Sequence, residues 1–247
     1  MTSMQTTLAA LVRYINEISL AKDYIIPWSC PVLSFGNPLT ASVATLGLNP
    51  SNREFVDGAG NELDGPFRRF QTLGSLGLNN WQEANATHVQ LILESYDAYF
   101  LRNPYDAWFR RLDYIISGAN ASYYESPNTA CHLDLVPYAT AEKWTELSSS
   151  DRTALLNHAS ETLALLLRDS AIRLLVLNGN SVVSNFQQIC GVQLDKELME
   201  DWSLPRRSAS GVRGFAYRVV LDQFPTLNSS AKYLCWGLII IFKAALA

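Results

Sequence analysis

Four short apolar runs, separated by stretches with helical spacing, constrain this chain more than any other feature. The runs are Ser42–Leu48 (SVATLGL), Thr129–Val136 (TACHLDLV), Ile172–Leu177 (IRLLVL) and Phe215–Leu221 (FAYRVVL). Three of them are almost continuously apolar, the pattern of a strand buried on both faces of a parallel sheet. Between them, Pro104–Ser117 carries apolar residues three and four apart, and Ser150–Arg168 opens on Ser150-Asp151, residues suited to an N-cap, before a run rich in Leu and Ala. Asn180–Ile189 and Ala231–Ala245 complete the helical set, and Thr6–Lys22 reads as an amphipathic helix ahead of it. Strand–helix alternation implies right-handed crossovers. The expected class is α/β: a three-layer α/β/α sandwich on a central four-stranded, mainly parallel sheet, with residues 1–247 forming a single domain.

Bulk properties narrow the function classes. With 48% hydrophobic and 17% charged residues the 247-residue chain can fill a core. A net charge of -4 argues against a protein that coats nucleic acid non-specifically, but not against an enzyme with one local basic face. Cys30, Cys131, Cys190 and Cys235 are far apart, which fits reduced thiols better than a disulfide framework or a local zinc site. No signal peptide is evident, and Leu234–Phe242 is too short to span a bilayer. A cytoplasmic monomer is expected. Neither GxGxxG nor GxxxxGKS occurs, which disfavours a dinucleotide or ATP enzyme.

Ligands of open α/β sheets bind at the carboxyl ends of the strands. Those ends read Gly47-Leu48-Asn49-Pro50-Ser51-Asn52, then Asp134-Leu135-Val136-Pro137-Tyr138-Ala139-Thr140, then Asn178-Gly179-Asn180, and finally Asp222-Gln223-Phe224-Pro225-Thr226-Leu227-Asn228-Ser229-Ser230. Each taken alone is ordinary turn chemistry. All four on one edge make a polar, concave site stiffened by proline.

Gly47-Leu48-Asn49-Pro50-Ser51 resembles the first motif of the uracil-DNA glycosylase superfamily, in the form carried by its mismatch-specific branch. Phe100-Leu101-Arg102-Asn103-Pro104-Tyr105-Asp106-Ala107-Trp108 is similar to the family's stacking aromatic and the helix behind it. The likeness covers Ser42–Leu48 and Phe100–Ser230 and leaves Arg53–Tyr99 as an insertion at 53–99, which would widen or cover the pocket. It implies that Asn49 holds the attacking water, that Leu48 and Pro50 lie by the base, and that Phe100 stacks on it, with Phe55 and Phe67 as alternatives; His132, two residues from Asp134 on the same strand face, is a base-site candidate as partner to that carboxylate or else a core histidine. It also implies that Ser51, Asn52, Asn178, Thr226, Leu227, Asn228 and Ser229 face the DNA, Leu227 as a wedge. The family's His in the last segment is absent, and the cysteines lack the clustering of its iron–sulfur branch. No metal or cofactor is expected.

Asp134 stands where the family often has Asn. A carboxylate only accepts hydrogen bonds, so it would repel O4 of uracil and favour the amino group of cytosine. The expectation is a monofunctional DNA glycosylase that flips a pyrimidine and hydrolyses its N-glycosidic bond. The favoured substrate is a 5-modified cytosine such as occurs in phage DNA, and the role anti-phage defence. The alternatives are a uracil or mismatch glycosylase of base-excision repair, a non-catalytic reader of modified DNA, and a small-molecule nucleosidase. Asp134 has competing structural roles as a loop cap or an arginine partner. Arg206, Arg207, Arg213 and Arg218, with the pairs Arg68-Arg69 and Arg110-Arg111, are candidate phosphate contacts or a solvated face.

Overall fold

The computed structural model describes residues 3–21, 24–102, 106–125, 129–191, 193–204, 212–218 and 239–241. Helix α1 (Ser3–Ala21) buries Leu8, Leu11, Val12 and Ile15, a stripe at spacings of three and four. Strand β1 (Val43–Gly47) lies buried along its whole length. The long connection that follows holds α2 (Leu73–Leu76), α3 (Ala86–Asp97), α4 (Tyr99–Arg102) and α5 (Asp106–Ile116). Next come β2 (Ala130–Asp134), α6 (Ser149–Asp169), β3 (Leu174–Leu177) and α7 (Asn180–Cys190). Strands β4 (Asp195–Leu204), β5 (Val212–Arg218) and β6 (Ile239–Ile241) close the order.

Strands β1, β2 and β3 form a parallel sheet flanked by helices, with β1 in the middle. Val43, Leu46, Leu133 and Val176 are buried, as side chains of a strand covered on both faces must be. The expected four-stranded sheet needs correction. The strand order is β2-β1-β3-β6-β5-β4, with β6 parallel to β3 and β5 antiparallel to β6. The run expected as the fourth strand is β5, separated from β3 by a strand that the sequence pattern assigned to a helix. Ile239–Ile241 falls within the expected helix Ala231–Ala245 and is instead extended. Three β-branched isoleucines in a row suit a pleated ladder better than a helix turn. The start of α6 also differs: Ser148, not Ser150, is the N-cap, its hydroxyl accepting from the Asp151 amide.

The segment 53–99 contributes to the core. Phe55, Phe70, Trp81 and Tyr96 from it are fully buried. Trp81 donates its indole N–H to the Pro27 carbonyl at 2.8 Å. Trp81→Ala is therefore expected to lower the unfolding free energy by about 3–5 kcal/mol, the cost of a large cavity together with an orphaned carbonyl. Urea unfolding of the two proteins checks it.

The other edge of β2 is covered by the stretch before β1. Phe35 and His132 exchange both backbone hydrogen bonds, at 2.8 and 2.9 Å, and Val32 donates to the Pro137 carbonyl at 2.7 Å. This pairing brings the Phe35 ring over the His132 ring, with centroids 5.1 Å apart.

Candidate functional site

Beyond their last residues, the parallel strands stay paired for a few positions. Leu135 donates to the Gly47 carbonyl, Val136 to Leu48 and Asn178 to Leu46, at 3.1, 2.9 and 2.9 Å. The three carboxyl ends are thus held side by side, and a pocket of about 330 Å³ opens over them. Its floor and rim are Gly47, Leu48, Asn49, Pro50, Ser51, His132, Asp134 and Asn178. Its walls are Phe35, Trp108, Phe109, Trp144 and Val182, and Glu54 completes the lining. The volume sits at the small end of the range for ligand cavities, roughly 300–1,000 Å³.

Gly47 and Asp134 are opposite each other in the β1–β2 register. A Cβ at Gly47 would stand 2.3 Å from Asp134 Oδ1 and 3.0 Å from His132 Nε2. The missing side chain is what lets a carboxylate and an imidazole lie across the end of β1. His132 and Asp134 share a face because they are two residues apart on a strand, and Nε2 is 3.3 Å from Oδ1. Both side chains are buried.

A polar chain leads away from this pair into the core. His132 Nδ1 is 2.6 Å from Thr45 Oγ1, which is 2.5 Å from the Tyr123 hydroxyl. Every group in it is buried. One proton arrangement satisfies the chain: Tyr123 donates to Thr45 and Thr45 to Nδ1, which leaves Nε2–H on the side of the Asp134 carboxylate, 3.3 Å away. Rings surround the imidazole, with Trp108 and Phe109 edge-on at 5.2 and 5.3 Å. They leave it no freedom to rotate away.

Asn49 is fixed through its amide nitrogen. Nδ2 donates to Thr140 Oγ1 at 3.0 Å and to the Pro50 carbonyl at 3.1 Å, with the Tyr138 carbonyl at 3.5 Å. Thr140 is buried and spends its own proton on the Glu142 carbonyl at 2.7 Å. The Asn49 Oδ1 therefore accepts nothing from the described residues and remains available to a water or ligand at the pocket. Ser51 caps the turn Asn52–Glu54 by accepting from the Arg53 amide at 3.2 Å.

That turn carries Glu54 into the interior. Its Oε2 accepts from the Tyr99 hydroxyl at 3.0 Å and from Arg69 at 3.4 Å. Burial pushes the Glu54 carboxyl up to about 7, against the lowering pull of Arg69 and Tyr99; the nearby Asp134 charge adds to the rise. The pocket thus brings together two carboxyl groups, one from the turn after β1 and one from the end of β2.

Asn49, Leu48, Pro50, Ser51, His132, Asp134 and Asn178, all expected at the site, line one cavity. Asn52 does not line it; its amide ties the loop to the Ala141 carbonyl at 3.0 Å. Thr226, Leu227, Asn228 and Ser229, together with Arg206 and Arg207, lie outside the described residues. Phe100 requires correction. It is buried with its ring stacked on Tyr123 at 4.6 Å and 20°, beneath Gly36, and it does not reach the pocket. Phe55 is buried against Phe70, and Phe67 is exposed; neither lines the cavity. Eight and nine residues further along than Phe100, Trp108 and Phe109 supply the rings instead.

Sequence reasoning missed Phe35, Glu54 and Trp144. The signal for Glu54 was its place in a short polar turn directly after the Asn49-Pro50-Ser51 loop. Of the basic pairs, Arg68 and Arg69 are engaged by Asp64 and Glu54, and Arg110 lies over the Tyr124 ring at 5.5 Å. Among the described residues no cluster of three metal-ligating side chains is present, and no helix is long and apolar enough to cross a membrane. No model of a known protein family matches the chain, and no curated protein does.

Proposed function

We propose that this chain is a DNA glycosylase built as a three-layer α/β/α sandwich of the uracil-DNA glycosylase type, hydrolysing the N-glycosidic bond of a flipped, 5-modified cytosine. The observation that carries this reading is the convergence of Asn49 and Asp134 on one aromatic-walled cavity at the carboxyl ends of three parallel strands. Phe35, Trp108 and Phe109, packed against one another, give the cavity an apolar aromatic flank for a planar base to lie against. The Asp134 carboxylate, held by His132, accepts from the exocyclic amino group.

Bond breaking leaves a cationic sugar and pushes charge onto the base. Asn49 Oδ1, with its nitrogen already committed, holds the water that adds to C1′. An amide is a weak base, so its task is placement. The base reaches the cavity only when out of the helical stack. DNA is the proposed partner, and a monomer acting in the cytoplasm is sufficient.

The test uses DNAs carrying uracil, cytosine, hydroxymethylcytosine and glucosylated hydroxymethylcytosine, followed by alkaline cleavage at abasic sites. Cleavage of the modified cytosines is expected. Asn49→Ala is expected to slow it by about 10²–10³-fold, the usual cost of one positioned polar group. Cleavage of uracil alone would point to the repair reading; no abasic sites with any DNA overturns the glycosylase reading.

A further inference from the structure

The proposed mechanism gives Glu54 no task, yet Glu54 lines the same pocket as Asp134. It is a buried carboxyl group, with a side chain 5% exposed, and it is held rigidly. Both protein donors that reach it, Tyr99 and Arg69, converge on Oε2. The second oxygen, Oε1, accepts from none of the described residues. A proton on this carboxyl therefore resides on Oε1, since Oε2 already accepts two hydrogen bonds. Glu54 and Asp134 line one cavity, and two carboxylates lining one poorly solvated cavity both stay ionised only at a cost. The titratable and charged groups acting on Glu54 are Arg69, Tyr99 and Asp134, the last lying 3.3 Å from His132 Nε2.

We propose that Glu54 as a carboxylic acid and Asp134 as a carboxylate, lining one cavity, together recognise the edge of an aminopyrimidine, with Asp134 accepting from the exocyclic amine and Glu54 donating to the adjacent ring acceptor. The edge of cytosine presents a donor beside acceptors, so one carboxylate and one carboxylic acid complement it. Uracil presents a donor at N3 between two carbonyl acceptors, and the pair cannot match it in the same register. This inference rests on the reading of the pocket as a base site, but not on catalysis. The near-neutral position of the Glu54 carboxyl, about 7, supports it: the donor is present in neutral solution and lost in mild alkali.

Free 5-hydroxymethylcytosine and free uracil are the probes, titrated calorimetrically into the full chain between about pH 6 and about pH 9. Hydroxymethylcytosine should bind more tightly than uracil near pH 6. Its affinity should fall about tenfold per pH unit above about 7, as one proton is lost from the competent state. Glu54→Gln keeps a donor that does not titrate, so its affinity should be close to that of the wild type at low pH and flat throughout. Thermal unfolding supplies a readout without ligand. A carboxyl raised on folding stabilises fully below its unfolded value near 4.5 and loses that contribution as pH rises through about 7. The stability of wild type should therefore fall relative to Glu54→Gln across that window. Equal pH profiles for the two proteins, or no binding of hydroxymethylcytosine, overturns the pair. Base binding without abasic-site formation leaves the pair standing and removes the glycosylase reading alone.

Discussion

Gly47→Ala is expected to slow base excision by about 10²-fold while leaving the fold assembled. The added methyl would stand 2.3 Å from Asp134 Oδ1 and 3.0 Å from His132 Nε2, inside the contact distance of both. Neither neighbour yields easily. His132 is walled by Phe35, Trp108 and Phe109, and its ring is bonded to Thr45. The carboxylate must therefore swing out of line. A displacement of about 1 Å at a reacting site costs on the order of 10²-fold in rate, and overpacking at a buried position costs about 1–3 kcal/mol of stability. The double variant Gly47→Ala/Asp134→Ala separates the two effects. Removing the carboxylate relieves the 2.3 Å clash and leaves the 3.0 Å approach to His132 Nε2, so stability should return part of the way toward wild type while excision stays impaired. Wild-type excision by Gly47→Ala would show that the reaction takes place elsewhere.

The second large effect is a change of preferred base. Asp134→Asn keeps the size of the side chain and an oxygen to face His132 Nε2, 3.3 Å away in the wild type, so the local structure is retained. It replaces an acceptor at the base edge with a donor, which matches O4 of uracil and opposes the amino group of cytosine. Discrimination by one edge contact is worth about 1–3 kcal/mol. Excision of hydroxymethylcytosine should drop by about 10–10²-fold, and excision of uracil should appear or rise. The ratio of the two rates, measured on matched oligonucleotides, decides it. A ratio unmoved by the substitution removes Asp134 from base recognition.

Strands β1, β2 and β3 and helices α5, α6 and α7 were legible in the sequence because their signals are local. Continuous apolar runs bounded by polar loops mark strands, and apolar residues three or four apart mark helix faces. Ile239–Ile241 escaped because a short apolar run has no period that distinguishes helix from strand, and its partners are far away in sequence. The N-cap fell two residues early because Ser148, Ser149 and Ser150 offer the same chemistry. At the site, the loop residues were legible because a parallel sheet must put them together. Glu54 was not, since its burial is set by partners 15 and 45 residues further along the chain. Phe100 had the right type and spacing. The direction of its ring, however, is decided by packing under Gly36 and against Tyr123, which spacing does not encode.

The single excursion between β1 and β2 supplies Glu54, Trp108 and Phe109, whereas Asn49, His132, Asp134 and Asn178 are fixed by the sheet or the residues pairing beyond it. One stretch of polypeptide thus supplies three of the cavity's side groups, beside Phe35, Trp144 and Val182 from elsewhere in the chain. A change in the excursion can resize the chamber for a bulkier 5-substituent without disturbing the strands that hold the polar groups. Variation of substrate in such a molecule would be concentrated in one interval of the chain, and chemistry in the others.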